Sequence, residues 1–593
     1  MVTSKPARRD LLGPWAVGLL VAALPLAATP LVTDPVMPVR LLVLAAGITL
    51  GSFAAGTGRL PRLMPWAIGC AAAVFVLAAL VSATPWLSLL GRYPRYEGLP
   101  MMAAYAACLW LGARLAGPDA KRTRDLATSA LAVGTIVQGL VAVVQVVTTP
   151  DVRVTGLLGN STTLGTWGVL SLAMLGWRAS TGRRSLWLAG AAAGALVLVL
   201  SASRGALVGV GAAAVMATVI LLRSRSRRWW LAGAVALGTV VAMLLVPTGR
   251  ARLTGATPFA EATVTGRLLL WQETLALLVN HPFLGVGPSR FVDSIGGFHT
   301  AAWAAAVGPY APPDSPHTLV LQVAAATGLL GLAVGLVVAG LALWPLLRVA
   351  KLDSWQSGAL CVAVGVGVTY LTSFTDPITT PVTALLLGGA LAQRSGPLAS
   401  TWRARSIGVL TAIVGLFLGG TLVAAEYLYT TGAGQATNPG PALIKATTAR
   451  PFDPDLARRV GYTLDRLAEK GQVDPLTAVP LLRSTCTKLP GSVECLLALA
   501  DAQDLAADHN AALTTLNTAL RLDEFNVDIY LKRGIALASS HRYPEAEVAF
   551  LKASDLRPTA PEPWTNLAKL YQLMGRTSDA TAASAKADQL AKR

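Results

Sequence analysis

The sequence predicts an all-α protein: a polytopic helical membrane domain of about thirteen spans, followed by an extracytoplasmic α-helical repeat solenoid. Of the 593 residues, 53% are hydrophobic and only 13% are charged, whereas soluble globular proteins carry about 25% charged residues. Apolar runs long enough to cross a bilayer recur through most of the chain, and its last part repeats with a fixed period. This combination excludes a soluble enzyme, a disordered protein and an ordinary nucleic-acid-binding domain.

Residues 13–429 divide into about thirteen apolar segments, and residues 1–12 precede them as a basic cytoplasmic tail that includes Lys5. A secretory signal peptide begins in the same way, but the many spans that follow favour a first helix that stays in the membrane. The two spans on either side of Arg204 are predicted to form a tight hairpin. The predicted spans lie near 13–32, 38–56, 65–83, 99–116, 128–147, 163–177, 185–202, 205–222, 229–247, 318–347, 357–374, 378–392 and 406–428.

The charge distribution predicts an N-terminus in the cytoplasm. The chain carries a net charge of +18, but residues 430–593 hold 19 basic and 18 acidic residues, which leaves 30 basic and 13 acidic residues in 1–429. The N-terminal tail and every second connection between spans together hold 21 of those 30 basic residues, as the positive-inside rule requires of cytoplasmic segments. An odd number of spans then places the tail outside the cytoplasm, together with segments 84–98, 148–162 and 248–317.

Nine basic residues remain on the predicted outer side, where the positive-inside rule disfavours them. Some of them therefore need another reason, and binding an anion at the outer membrane face supplies one. These residues are Arg40, Arg92, Arg95, Arg153, Arg204, Arg250, Arg252, Arg267 and Arg290.

The tail aligns as three 34-residue units that together span 493–593. Small residues recur where two helices approach closely, and position 4 of each unit is large (Leu496, Tyr530 and Trp564). This pattern resembles tetratricopeptide repeats. Such arrays bind peptides or partner proteins in their concave face, and the alternative is a packing cap for the membrane domain. Residues 430–492 are predicted to form a helical linker or a degenerate leading repeat, in which Cys486 could pair with nearby Cys495.

Three short outer elements carry candidate binding residues. The first contains Arg92, Arg95 and Tyr96, which either bind substrate or form an interfacial aromatic belt with snorkelling arginines. Asn160 either caps the next helix or holds phosphate or sugar hydroxyls. Arg204 either serves a functional site or snorkels, because burying a guanidinium near hydrocarbon costs about 2.5 kcal/mol or more.

The long outer segment holds the remaining candidates. Arg267 and Trp271 are four residues apart and share one face of a predicted interfacial helix, which brings the guanidinium within reach of a lipid-borne phosphate. His317 precedes the next span, where the positive end of the helix dipole favours a neutral imidazole that can accept a proton. The alternative for His317 is a capping or packing role. Glu273 and Arg290 are further candidates for substrate binding.

The order of motifs along residues 84–345 resembles the O-antigen ligase and polymerase superfamily. The motifs read YPRYEG, GLLGN, SRG, GRxxxWxxxL, HPFLGVGPxxF and HTLVLQVAAATGLLG. Members of this superfamily are multi-pass glycosyltransferases that use polyprenyl-diphosphate-linked glycans, and a repeat tail recurs in a subgroup. The resemblance implies two essential arginines and one histidine, at the positions of Arg204, Arg267 and His317. Thr318 departs from the family pattern, in which Asn commonly follows the histidine.

The implied reaction is attack of an acceptor hydroxyl on the anomeric carbon of a lipid-diphosphate sugar. Arg204 and Arg267 stabilise the departing diphosphate in this hypothesis, because bidentate guanidinium groups match phosphate oxygens. His317, or in its place Glu273, orients or deprotonates the acceptor. The sequence Asp453-Pro-Asp455 is interpreted as a turn and helix start, so the prediction is a metal-independent enzyme without cofactors.

We therefore expect a multi-pass cell-membrane glycosyltransferase of the surface polysaccharide ligase or polymerase type. Its expected partners are a polyprenyl-diphosphate-linked glycan, a glycan, lipid or protein acceptor, membrane lipids and a protein partner of the repeat array, but no nucleic acid. Two alternatives stay open. One is a protein O-oligosaccharyltransferase, and the other is a non-enzymatic transporter or repeat scaffold.

Overall fold

The regular elements of the computed structural model are helices throughout the described part of the chain, where Arg59 and Gln393 form an isolated antiparallel bridge. The all-α prediction is therefore confirmed. Lys5 of the predicted cytoplasmic tail lies outside the described residues. The structure describes residues 8–56, 58–149, 153–182, 185–254, 260–307, 313–393, 401–435 and 439–592.

Nineteen helices build the described part of the membrane domain, and a π-helical turn at Leu19–Ala23 joins the first two. They are α1 (Arg8–Gly18), α2 (Leu24–Leu26), α3 (Met37–Ala54), α4 (Met64–Leu80), α5 (Pro85–Leu90), α6 (Leu99–Leu115), α7 (Lys121–Thr148), α8 (Ser161–Gly182), α9 (Ser185–Ser201), α10 (Arg204–Arg223), α11 (Trp230–Leu245), α12 (Pro247–Leu253), α13 (Ala260–Asn280), α14 (Phe291–Ser294), α15 (Ala301–Ala306), α16 (Leu319–Arg348), α17 (Ser354–Tyr370), α18 (Thr379–Leu391) and α19 (Thr401–Ala433).

Each of the thirteen predicted spans coincides with a helix or with consecutive helices, whose ends differ by a few residues. Five of these helices are long and apolar enough to cross a membrane by themselves, and a sixth span results if α11 and α12, bent by 104°, count together. Others, such as α4 and α6, are apolar but shorter. The helices are thus confirmed, whereas the number of spans stays a prediction.

Segments predicted to share one side of the membrane contact one another. Arg124 pairs with Asp353 at 2.9 Å, and both lie in connections predicted to be cytoplasmic. Arg95 pairs with Asp314 at 2.9 Å, and both belong to predicted outer segments. If consecutive spans cross the membrane in alternating directions, the connections on one side must lie near one another in this way. Which end of the bundle faces the cytoplasm stays a prediction.

The helices on either side of Arg204 do not pack side by side, so the predicted tight hairpin is wrong. Helix α9 packs against α7 and α8, whereas α10 packs against α17 and α11. The approach of α10 to α17 is close because Gly209 has no side chain: a Cβ there would lie 2.7 Å from the main-chain oxygen of Gly365. Arg204 therefore lies at a junction where the chain passes from one set of helix contacts to another.

Helix α16 is interrupted at Gly328, where φ is 68° and ψ is −173°. Residues 281–287 of the long outer segment pack into this break, and the amide of Val286 donates to the carbonyl oxygen of Ala325 at 2.8 Å. A Cβ at position 328 would lie 2.0 Å from the carbonyl oxygen of Phe283, so the contact requires glycine. The two motifs HPFLGVG and HTLVLQVAAATGLLG thus meet and fix the long segment against the membrane domain.

The tail consists of helix pairs. Helices α21, α23, α25 and α27 are the first members of successive pairs, and each packs against the next, so they line the inner, concave face of the array. The pair α21–α22 precedes the three predicted repeats, and Cys486 and Cys495 form a disulfide between α22 and α23. The tail helices are α20 (Pro439–Ala449), α21 (Pro454–Glu469), α22 (Ala478–Lys488), α23 (Val493–Leu505), α24 (His509–Leu522), α25 (Val527–Ser539), α26 (Tyr543–Leu556), α27 (Glu562–Leu573) and α28 (Thr577–Ala591).

Candidate functional site

Four arginines from three predicted outer segments gather beside the start of α10, and we call them the arginine cluster: Arg153, Arg204, Arg252 and Arg267. Arg204 is the first residue of α10, and its Nε donates to the carbonyl oxygen of Arg252 at 2.9 Å. Arg153 donates to the carbonyl oxygen of Ser201 at 3.2 Å. The predicted pair Arg204 and Arg267 therefore lies in one cluster, together with two arginines that the sequence did not single out as catalytic.

The arginines of the cluster repel one another. Burial, together with the charges of Arg252 and Arg267, lowers the pKa of Arg153 to about 10. Burial likewise lowers the pKa of Arg267, with additional contributions from Arg252 and Arg204. Among the described residues, no carboxylate counteracts either shift. A partly buried group of guanidinium ions without a countercharge is expected to bind an anion with several negative charges.

His317 lies next to the cluster, two residues before α16 begins. Its backbone is left-handed, with a φ of 53°, and its ring centroid is 5.7 Å from that of Phe374. Burial lowers the pKa of the imidazole, the charges of Arg267 and Arg95 lower it further, and Asp314 raises it. The imidazole is therefore neutral around pH 7 and has a lone pair that can accept a proton.

The loop 371–378 between α17 and α18 connects the predicted site residues. The carbonyl oxygen of Thr372 accepts a hydrogen bond from Arg267 at 3.4 Å, and the ring of Phe374 lies 4.3 Å from the guanidinium carbon of Arg95. No site residue was predicted in this loop, because its first four residues fell within the predicted span 357–374. Its run of polar residues, Thr372-Ser-Phe-Thr-Asp376, was the available signal.

Helix α13 holds two of the candidates on opposite sides. The indole nitrogen of Trp271 donates to the carbonyl oxygen of Pro316 at 2.8 Å, so Trp271 fixes the residue before His317. Glu273 is buried and accepts hydrogen bonds from the amide and the hydroxyl of Thr300, each at 3.0 Å. The structure thus brings Trp271 to the histidine and places Glu273 against the other part of the long segment.

Three further candidate residues, Arg92, Tyr96 and Arg290, form hydrogen bonds to the tail. Arg92 forms a bidentate pair with Asp455, with nitrogen–oxygen distances of 2.7 and 2.8 Å, and also contacts Asp293. Arg290 pairs with the same Asp293. The hydroxyl of Tyr96 donates to Asp453 at 3.2 Å. The Asp453-Pro-Asp455 sequence does start a helix, as interpreted, and its two carboxylates also bind the first outer loop.

Asn160 and Arg95 occupy different surroundings. The side-chain oxygen of Asn160 accepts from the amides of Thr162 and Thr163 at 2.7 and 3.3 Å, which is the helix-capping geometry. Arg95 lies between the Phe374 ring and Asp314, close to His317. Arg95 therefore belongs to the surroundings of the histidine, whereas Asn160 stabilises the start of α8.

A large apolar groove runs along α3, α4, α6, α16 and α19 and has a volume of about 1080 Å³. Arg95, Glu97 and Gln322 line its polar end, whereas Arg204, Arg267 and His317 do not line it. Thr375 lines the groove and Thr372 of the same loop contacts Arg267, so the loop 371–378 lies between the groove and the arginine cluster. In the described part of the chain, no three His, Cys, Asp or Glu side chains are placed to hold a metal ion.

The chain is similar to one protein family and to several solved structures. Residues 188–336 match the family model described as O-Antigen ligase. The chain is similar to the tetratricopeptide-repeat protein TTC0263 of Thermus thermophilus (23% identity, 29% of this chain, 91% of that chain, TM-score 0.24). It is also similar to MamA (21% identity, 26% of this chain, 87% of that chain, TM-score 0.22). No curated protein matches. Within residues 188–336, the chain carries an O-antigen ligase domain.

Proposed function

We propose that the protein transfers a glycan from a polyprenyl-diphosphate carrier to an acceptor hydroxyl at the extracytoplasmic membrane face, as a surface polysaccharide ligase or polymerase. The observation that carries this proposal is the arginine cluster beside a neutral His317. Four cations without a countercharge among the described residues suit the diphosphate of such a carrier better than any neutral ligand. In this proposal the N-terminus is cytoplasmic, and the site and the tail lie outside.

The cluster acts on the leaving group. The acceptor oxygen forms a bond to the anomeric carbon while the bond from that carbon to the diphosphate oxygen breaks, and the diphosphate departs with the electron pair. Guanidinium groups already fixed around that charge stabilise the transition state, and losing one such donor typically costs about 3 kcal/mol. Arg204 and Arg267 contact the diphosphate in this mechanism, and Arg153 and Arg252 add to the field.

His317 receives the proton of the acceptor hydroxyl. Its imidazole is neutral, and the carbonyl contact of Trp271 and the ring of Phe374 hold it beside the cluster. Glu273 is a poorer base because its contacts to Thr300 direct it away from this position. Since arginine supplies the positive charge, the mechanism needs no metal ion.

The remaining candidate residues stabilise the structure around the site and do not contact the reacting groups in this mechanism. Arg95 closes the space between His317 and the apolar groove, which we assign to the lipid part of a substrate because its walls are apolar over most of their length. Arg92, Tyr96 and Arg290 hold the tail against the outer loops. Asn160 fixes the start of α8.

The test uses full-length protein in detergent, a polyprenyl-diphosphate-linked glycan and separate glycolipid, glycan and protein acceptors. Arg204→Gln, Arg267→Gln and His317→Ala should each lose at least about a hundredfold in rate. Arg250→Gln is the matched control, because Arg250 is an exposed arginine of the same outer region. Full activity in all three variants would contradict the assignment of the site.

A second candidate function is protein O-oligosaccharyl transfer. It is favoured by the position of the repeat array, whose residues Glu494 and Asp528 form a cavity together with His299 of the long outer segment. A polypeptide bound in the array would lie next to that segment. Product bound to protein, rather than to lipid or to a longer glycan, would establish this alternative in the same assay.

A further inference from the structure

The inner face of the repeat array carries a row of carboxylates, which we call the acidic stripe: Asp465 and Glu469 on α21, Asp501 on α23 and Asp528 on α25. Their helices are first members of successive pairs, so the stripe crosses the concave face from one repeat to the next. Lys532 pairs with Asp501 at 2.5 Å. Arg557 is a second cation near Asp528, so two cations face four carboxyl groups and the stripe is acidic overall, most strongly above about pH 8, where Asp465 is ionised.

Asp465 is a carboxyl group of the stripe that has no hydrogen-bond donor among the described residues. The residue is only 4% exposed, and neither of its carboxylate oxygens has a hydrogen-bond partner. Burial, helped by the neighbouring charges of Asp501 and Glu469 and opposed by Lys532, raises its pKa to about 8. A buried carboxylate without a donor is costly, and a cationic group entering the concave face would remove that cost.

The stripe continues to the long outer segment. Asp528 lines a cavity of about 70 Å³ at the junction between the array and this segment, opposite Asp293 and His299. Within the described structure, Oδ1 of Asp523 and Nε2 of His299 are buried there without a hydrogen-bond partner. A ligand that follows the stripe would therefore reach the part of the chain that packs beside the proposed catalytic residues.

We propose that the acidic stripe binds an extended, lysine- or arginine-rich segment of another polypeptide. Cationic side chains along such a segment can reach carboxylates on successive first helices, whereas phosphate-bearing lipids and nucleic acids are repelled by the same charges. A metal ion fits less well, because no three ligating side chains of the described chain are placed around one point. The proposal does not depend on the reaction that the membrane domain performs.

The experiment measures binding of fluorescent oligolysine to the full-length protein in detergent by anisotropy, with oligoglutamate as the charge-reversed peptide. The test variant is Asp465→Asn with Asp528→Asn, measured above about pH 8, where Asp465 of the wild type is ionised. The variant then removes charge without removing volume and relieves repulsion in the fold. The matched control is Asp555→Asn with Asp588→Asn, two exposed carboxylates on second helices. Oligolysine should bind the wild type with an affinity that falls steeply with salt.

The expected result is a loss of roughly tenfold or more in affinity for the test variant and little change for the control. Equal binding by both variants would overturn the proposal, because the attraction would then come from charge elsewhere. Equal binding of oligoglutamate would overturn it as well. Displacement of oligolysine by low concentrations of calcium, lost only in the test variant, would instead identify the stripe as a metal site.

Discussion

The side chain of Arg204 binds the main chain of Arg252, since Nε of Arg204 donates to the carbonyl oxygen of Arg252 at 2.9 Å. The guanidinium of Arg252 takes no part in this contact, and its Nε is buried without a hydrogen-bond partner in the described structure. The position of Arg204 and the charge of Arg252 can therefore be tested separately.

Arg252→Gln should weaken donor binding while leaving Arg204 in place. The loss of one charged contact costs about 1.5 kcal/mol, or roughly a tenfold higher KM for the lipid-linked glycan. The fall in kcat should be smaller than in Arg204→Gln. Steady-state kinetics with Arg250→Gln as the exposed control checks this, and an unchanged KM would show that Arg252 is remote from the donor.

The pH dependence of activity should report the charges around His317. Because burial, Arg267 and Arg95 lower its pKa below the ordinary 6.5, activity should persist until the pH falls through that lowered value. Arg95→Gln should raise the pKa and move the acidic limb of kcat/KM to higher pH. Asp314→Asn should move it the other way, because Asp314 raises the pKa. Shifts in the same direction would refute the assignment of His317 as the base.

Asp465 should make the array less stable in alkaline solution. A carboxylate whose folded-state pKa is raised from 3.8 to about 8 favours the folded state when protonated, so stability falls as the pH rises from about 4 to about 8. Asp465→Asn should therefore raise the unfolding temperature of the full-length protein at pH 8 and change it little at pH 4. The exposed Asp555→Asn serves as the control at both values.

The contact between the first outer loop and the tail should be important for stability. Arg92→Met leaves Asp293 and Asp455 buried without this partner, and breaking a buried ion pair from one side typically costs about 3–5 kcal/mol. The unfolding temperature in detergent should fall clearly. Adding Asp455→Asn to Arg92→Met should recover part of the loss, and no recovery would mean that the effect arises from packing alone.

Chelation should leave the transferase reaction intact. The proposed mechanism places arginine rather than a divalent ion at the diphosphate, so EDTA is expected to change the initial rate by less than about twofold, which corresponds to under 1 kcal/mol. A loss of activity that added magnesium or manganese restores would reject the metal-independent mechanism.

The sequence predicted the helices well because a membrane-spanning helix needs a long apolar run, which a local pattern records. It also predicted that Arg267 and Trp271 lie on one face of a helix, since helical spacing alone determines that relationship. The helix-capping alternative for Asn160 is the geometry observed. The proposed chemical roles of Arg204, Arg267 and His317 stay predictions.

Contacts between distant segments could not be predicted from such patterns. Arg153, the main chain of Arg252 and the loop around Thr372 reach the site only through packing of helices that are far apart in sequence. Likewise, α10 packs closely on α17 at Gly209 and not along α9, although a short connection joins α9 and α10. In both cases tertiary packing, and not local propensity, determined the arrangement.

The pair between Arg92 and Asp455 spans 363 residues of chain. During synthesis the arginine emerges from the ribosome long before its carboxylate, so the loop that carries Arg92 can make its final contacts only after the tail has been made. The ion pair therefore closes the structure late, once the helices between the two residues are complete. A chain that ends before Asp455 lacks the carboxylate that Arg92 binds through two nitrogen atoms.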